Sequence, residues 1–126
     1  IRQPRFARIA IPNPKAAIYG IAASEYLEHS GLKPVVKDRL QEVATVPQVS
    51  AYLISGEVDA GFVNLTEALA IRTKIGGYRE IDARLYSPIK IVAGVLRSHA
   101  GDAAVQAFGR FMATPDAKAV LSRHGL

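Results

Sequence analysis

An α/β fold, a sheet flanked by helices, is predicted for this chain from three observations. Short apolar runs alternate with longer segments of helical period. The helical segments are about ten residues long, the length that bridges neighbouring strands. Glycine or proline punctuates most of their ends.

Phe6–Ile11 is the first apolar run and reads as a buried strand. It breaks into a loop with Pro12 and Pro14 that feeds a helix from about Tyr19 to His29, because Tyr19, Ala22, Ala23, Tyr26 and Leu27 follow helical spacing. Gly31 takes the position just past its end. Lys33 to Leu40 reads as a short helix or turn opened by Pro34, and Glu42–Thr45 as a short strand. Pro47–Ser55 is helical, with Val46, Val49 and Leu53 as its apolar stripe, Pro47 in the first turn and Gly56 at the end. Ala60–Val63 reads as a short buried strand, and Thr66–Ile75 as a helix stopped by Gly76-Gly77. Glu80–Ala83 is irregular or a short strand, and Ile89–Leu96 a longer strand. Two helices close the chain, Asp102–Met112 and one opened by Thr114-Pro115-Asp116 that ends near Gly125.

At 126 residues and 49% hydrophobic, the chain can build an ordinary core. No run approaches the roughly 18 consecutive apolar residues of a membrane span, and no charged stretch followed by an apolar one opens the chain as a signal peptide would. Zero cysteines exclude disulfides, thiolate metal sites and thiol catalysis. The net charge of +5 is spread from Arg2 to Arg123, with a mild cluster at Arg2, Arg5 and Arg8. RNA-binding aromatic patterns and zinc-finger spacings are absent, so a solvated basic surface is expected and no nucleic-acid partner.

Enzyme chemistry finds no foothold. His29, His99 and His124 lie far apart, so no cation site is expected from them. No Gly-x-Ser-x-Gly surrounds Ser24, Ser50 or Ser55, and Gly76-Gly77 lacks the Lys-Ser/Thr of a phosphate loop. Glu57 and Asp59 read as a solvated turn. What remains is the strand–loop–helix passage Ala10 to Gly20. Such a passage points free backbone N–H groups and the positive end of a helix dipole into the space above the strand, and holds an anion without a charged side chain.

That passage, Ala10-Ile11-Pro12-Asn13-Pro14-Lys15-Ala16-Ala17-Ile18-Tyr19-Gly20, resembles the second lobe of periplasmic molybdate ABC-transporter substrate-binding proteins, whose pattern is close to A-I-x-N-P-K-x-A-P-Y-G. Pro12 and Ile18 depart from it. The resemblance continues through Ser55-Gly56-Glu57-Val58-Asp59-Ala60-Gly61-Phe62-Val63, through Leu85-Tyr86-Ser87-Pro88-Ile89-Lys90 and through Ala113 to Leu126, in order and with spacing kept. It implies a type II periplasmic-binding-protein-like lobe with a mixed sheet. Residues 1–88 would form the second lobe. Residues 89–126 would be the returning crossover strand and the C-terminal helices that belong to the first lobe, whose remaining part would lie outside this chain.

The function that the resemblance implies is binding, without chemistry or cofactor, of molybdate or tungstate for delivery to an ABC permease in the periplasm. It also implies the site residues. Tyr19 and Val46 would each offer a backbone N–H to the oxyanion, and Asn64 would donate from its side-chain amide or cap the following helix. Asn13 is expected to hold its turn by a side-chain-to-backbone bond, Lys15 to stay at the rim, and Tyr86 to lie near the hinge. With only one wall of a cleft present, weak or no binding and a tendency to associate are expected, the C-terminal helices folding back, pairing with a second copy or staying exposed. The alternative reading is the ligand-sensing domain of a transcriptional regulator with the same lobe architecture.

Overall fold

The computed structural model describes all 126 residues, in two compact units, Ile1–Ile89 and Lys90–Leu126. The first unit is built on strands β1 (Ile9–Pro12), β2 (Leu40–Val43) and β3 (Ala60–Gly61), ordered β2-β1-β3. Both pairs are parallel, with Ile9 beside Leu40 and Ala60, and Ala10 beside Gln41 and Gly61. Helix α1 (Ile18–His29) follows β1. The short α2 (Lys33–Val36) leads into β2, α3 (Val46–Ser55) connects β2 to β3, and α4 (Leu65–Ile71) follows β3.

Alternation along the strands divides the core in two. One face sets Ile9 against Leu27, Leu32 and Val36, with Phe6, Leu40 and Phe62 at its margin. The other sets Ala10 and Val43 against Val49 and Val58, with Tyr52, Leu53 and Val63 beside them. Helix α3 sits close on the sheet because Gly61 has no side chain; a Cβ there would meet Val49 and Leu53. Helix α1 ends in a Schellman arrangement. Gly31 takes φ 66°, its N–H donates to Glu28 O, and the Leu32 N–H donates to Leu27 O.

Several expectations shift. The first strand begins at Ile9 rather than Phe6, because residues 3–5 turn and the Phe6 N–H donates back to Gln3 O. The guanidinium of Arg39 pins this lead-in segment, donating to Phe6 O (2.7 Å) and, more distantly, to Gln3 O and Ile1 O. Strand β2 runs from Leu40 to Val43, not Glu42 to Thr45, since Thr45 leaves the ladder to cap α3. Helix α4 stops at Ile71, where Arg72-Thr73-Lys74 turns before the glycines. The strand expected at Ile89–Leu96 does not form. These residues pair with nothing, and Ile91, Val92, Val95 and Leu96 are exposed. A mixed sheet needs an antiparallel member, and with this segment unpaired the sheet has only its parallel pairs.

The second unit holds α5 (Ala103–Met112) and α6 (Pro115–Arg123). Thr114 caps α6, accepting from the Ala117 N–H. Asp102 precedes α5 but its carboxylate accepts from His99 Nδ1 (2.8 Å) instead of capping. Phe108, Phe111 and Val120 are exposed on these helices.

Glu57 and Asp59 read as a solvated turn; Asp59 does lie in a bend with a part-exposed side chain, but it is not free. Its carboxylate accepts from the Arg8 backbone N–H (2.8 Å) and from the Arg8 guanidinium (2.8 Å), stapling β3 to the start of β1. These bonds hold the Asp59 carboxyl below its ordinary value of 3.8. A carboxyl lowered on folding stabilises the fold above its unfolded pKa, and the contribution is lost as pH falls through the folded value. The urea midpoint of Asp59→Asn is therefore expected below that of the parent at pH 7, with the gap closing below pH 3.8. A gap independent of pH would remove the charge from this account.

Candidate functional site

Because all three strands run the same way, their carboxyl ends share one edge of the sheet, and the starts of α1, α3 and α4 open there. In open α/β sheets this edge is where ligands bind, at the point where strand order reverses.

The β1–α1 loop is held from within. Asn13 extends the β1–β2 ladder, its N–H donating to Val43 O (2.7 Å). Its side-chain Oδ1 accepts from the Lys15 N–H (2.8 Å), and its carbonyl accepts from the Ala16 and Ala17 N–H groups. Asn13 thus has the turn-holding role read from the sequence, and Lys15 is exposed. The chain enters α1 through Ala17 in extended conformation, with no side-chain cap. The Gly20 and Ile21 N–H groups donate to Ala17 O, which leaves the Ile18 and Tyr19 amides without an acceptor in the protein.

Gly20 allows this geometry. A Cβ on Gly20 would lie 2.7 Å from Asn13 O and in contact with Pro12 O, both backbone atoms. Only glycine lets the first turn of α1 lie this close to the loop.

At α3, Thr45 Oγ1 accepts from the Gln48 N–H (3.3 Å), while Gln48 Oε1 accepts from the Ala44 N–H (3.0 Å), a reciprocal cap. Pro47 has no N–H. The Val46 amide is left unpartnered in a residue only 9% exposed. The Val46 side chain packs under the helix, as expected for its apolar stripe. Neither α1 nor α3 has an acidic residue in its first turn, so the positive ends of both dipoles are uncompensated.

Asn64 caps α4. Its Oδ1 accepts from the Glu67 N–H (3.1 Å) and its carbonyl from the Ala68 N–H (3.0 Å). Capping commits the oxygen, and Asn64 Nδ2 donates to no group of the protein. Tyr19, Val46 and Asn64 thus each stand at the start of a different helix on one edge. They share a free N–H donor and no cation.

The sequence reading missed two participants. The Ile18 amide is free because α1 begins one residue earlier than periodicity suggested. Gly20 could have been found as a glycine inside the first turn of an otherwise strong helical pattern. Tyr86, read as hinge-side, lies between two residues tied to α1. Leu85 O accepts from His29 Nδ1 (2.9 Å), and Ser87 donates to Glu25 through its N–H (2.6 Å) and hydroxyl (3.1 Å).

Comparison with known proteins gives a consistent picture. The family model described as bacterial extracellular solute-binding protein matches residues 1–126. The molybdate-binding protein ModA of Azotobacter vinelandii is 30% identical over 126 residues, covering 99% of this chain and 50% of its own length. The ModA of Rhodobacter capsulatus is 31% identical over 118 residues, covering 93% of this chain and 46% of the relative. Among solved structures, the periplasmic molybdate-binding protein of Azotobacter vinelandii superposes with a TM-score of 0.73 at 32% identity, over 95% of this chain and 53% of that one. The substrate-binding domain of a molybdenum ABC transporter from Clostridium difficile gives 0.81 at 26% identity, over 94% and 52%. The chain spans about half the length of the curated relatives it matches. It belongs to the bacterial extracellular solute-binding protein family.

Proposed function

We propose that this chain supplies one wall of an extracytoplasmic oxyanion site, binding molybdate or tungstate for delivery to an ABC importer. The observation that carries the reading is the set of unpartnered donors on one sheet edge: the Ile18, Tyr19 and Val46 amides and Asn64 Nδ2. A tetrahedral dianion needs several donors at once, and burying it without them is very costly. Neutral N–H groups at helix starts supply them with their dipoles aligned. The absence of a fixed cation among them limits retention of other anions by charge alone. The names of the relatives supply the ligand class, molybdate, and the periplasmic setting.

In this reading residues 1–88 form one lobe, and residues 89–126 pack on a second lobe that completes the cleft. Closure of the two about a hinge buries the anion and presents a surface to the permease. Without that lobe the exposed apolar faces of α5 and α6 favour self-association. No step of the function makes or breaks a bond.

Titration of sodium molybdate into the ¹⁵N-labelled chain tests this. The Tyr19 and Val46 amide resonances are expected to shift among the most, and small shifts at both would end the assignment. Asn64→Ala carries a double expectation. Loss of the α4 cap lowers stability by about 1 kcal/mol, and loss of one neutral donor to an anion weakens binding about tenfold. Lower stability with unchanged affinity would leave Asn64 as a cap alone.

A further inference from the structure

Charge is scarce where the helices open on the carboxyl edge of the sheet. Residues 12–21, 44–49 and 62–68 make up the three loops there and the first turns of α1, α3 and α4. Among them only Lys15 and Glu67 are charged. Glu67 lies in the first turn of α4, where the helix dipole favours a carboxylate. To an incoming dianion the same carboxylate is a repulsion. With Lys15 these segments are neutral, and without it they are negative.

The backbone fixes where Lys15 stands. Its N–H donates to Asn13 Oδ1 (2.8 Å), and the Ala16 and Ala17 amides close the turn onto Asn13 O. Ile18 follows three residues later, so the Cα atoms of Lys15 and Ile18 lie no more than about 11 Å apart however the chain turns. The side chain is exposed, and its ammonium makes no ion pair. At low ionic strength the Debye length is about 10–30 Å. The charge therefore acts on an anion at the free Ile18 and Tyr19 amides without a fixed rotamer or a direct contact.

We propose that Lys15 draws the oxyanion to this edge, its ammonium offsetting the charge of Glu67 and raising the concentration of dianion at the free amides of α1. The inference rests on the oxyanion reading of that site. It separates two tasks: neutral donors hold the anion, and a solvated cation outside them governs its approach. A strongly hydrated ammonium on a flexible stem suits the second task and would retain little by itself. One unit charge acting on a dianion across about 10 Å of water changes affinity about fourfold before screening.

The test titrates sodium molybdate into the ¹⁵N-labelled chain with total ionic strength held at about 0.03 M and then at about 1 M, where the Debye length falls to about 3 Å. Lys15→Gln is expected to weaken apparent affinity about threefold at the lower salt, and Lys15→Glu about tenfold. Lys15→Arg, which keeps the charge, should match the parent. At the higher salt all four chains should agree. Any residue but proline keeps the N–H bonded to Asn13, and urea midpoints should stay level, as for other exposed positions without partners. Equal affinities of parent and Lys15→Gln at the lower salt would overturn the proposal, as would a gap that survives at the higher. A parent that responds at Tyr19 and Val46 while the variants do not differ sinks this inference alone. A parent without those shifts ends the oxyanion reading itself, and this proposal with it.

Discussion

Gly20→Ala is expected to abolish the oxyanion response and to destabilise the first unit by about 3 kcal/mol. Two opposed effects meet at this position. Alanine gains up to about 1 kcal/mol over glycine inside a helix. Against that, its methyl group would lie 2.7 Å from Asn13 O and closer still to Pro12 O. Both are backbone atoms of a loop fixed by the Asn13–Val43 and Asn13–Lys15 bonds, so they do not yield as a side-chain tip would. The clash wins, and either the loop or the first turn of α1 moves. Both outcomes displace the Ile18 and Tyr19 amides. A thermal melt with the molybdate titration measures both consequences. A Gly20→Ala chain with the parent's melting temperature and the parent's shifts would show that the close approach is unimportant.

Leu27→Ala is expected to cost a similar amount of stability and to leave binding alone. Leu27 is 1% exposed and fills the space between α1 and β1 with Ile9, Leu32 and Val36. Truncation of a buried leucine in a site that cannot collapse costs about 3 kcal/mol, or about 12–24 °C in melting temperature for a unit of this size. Leu27 lies in the last turns of α1, away from the free amides at its start. Molybdate affinity of the folded fraction should match the parent's. A tenfold loss of affinity would mean that the cavity at the far end of α1 reaches its N-terminus.

These two substitutions also mark what the residues disclosed. The helices were legible because their apolar spacing and caps are local: Gly31, Gly56 and Thr114 ended or began helices where read. The helix starts that carry the free amides were legible from the strand–loop–helix passage and the resemblance together. What could not be read depends on contacts distant in sequence. Whether Ile89–Leu96 pairs depends on a partner strand rather than on its own β-branched residues. Asp59 reads as a surface turn residue until the fold brings Arg8 to it across 51 positions. That Ser50 is 3% exposed and its hydroxyl has no partner is a fact of packing, invisible in a string where serine on a helix is commonplace.

The central place of β1 has a consequence for how the chain is made. Its first strand is the partner of both others, and β2 and β3 never touch each other. During synthesis Ile9, Ala10 and Ile11 emerge before either partner strand, all buried in the finished fold, and must wait for Leu40 and then Ala60 before both their edges are covered. Parallel pairings of this kind close long loops and form slowly. The nascent chain therefore carries an apolar strand with open edges until Ala60 has been made, which is the state that chaperones bind and that aggregates when they do not. Once β3 docks, both edges of β1 are covered, and loss of β1 leaves no smaller sheet to fall back on.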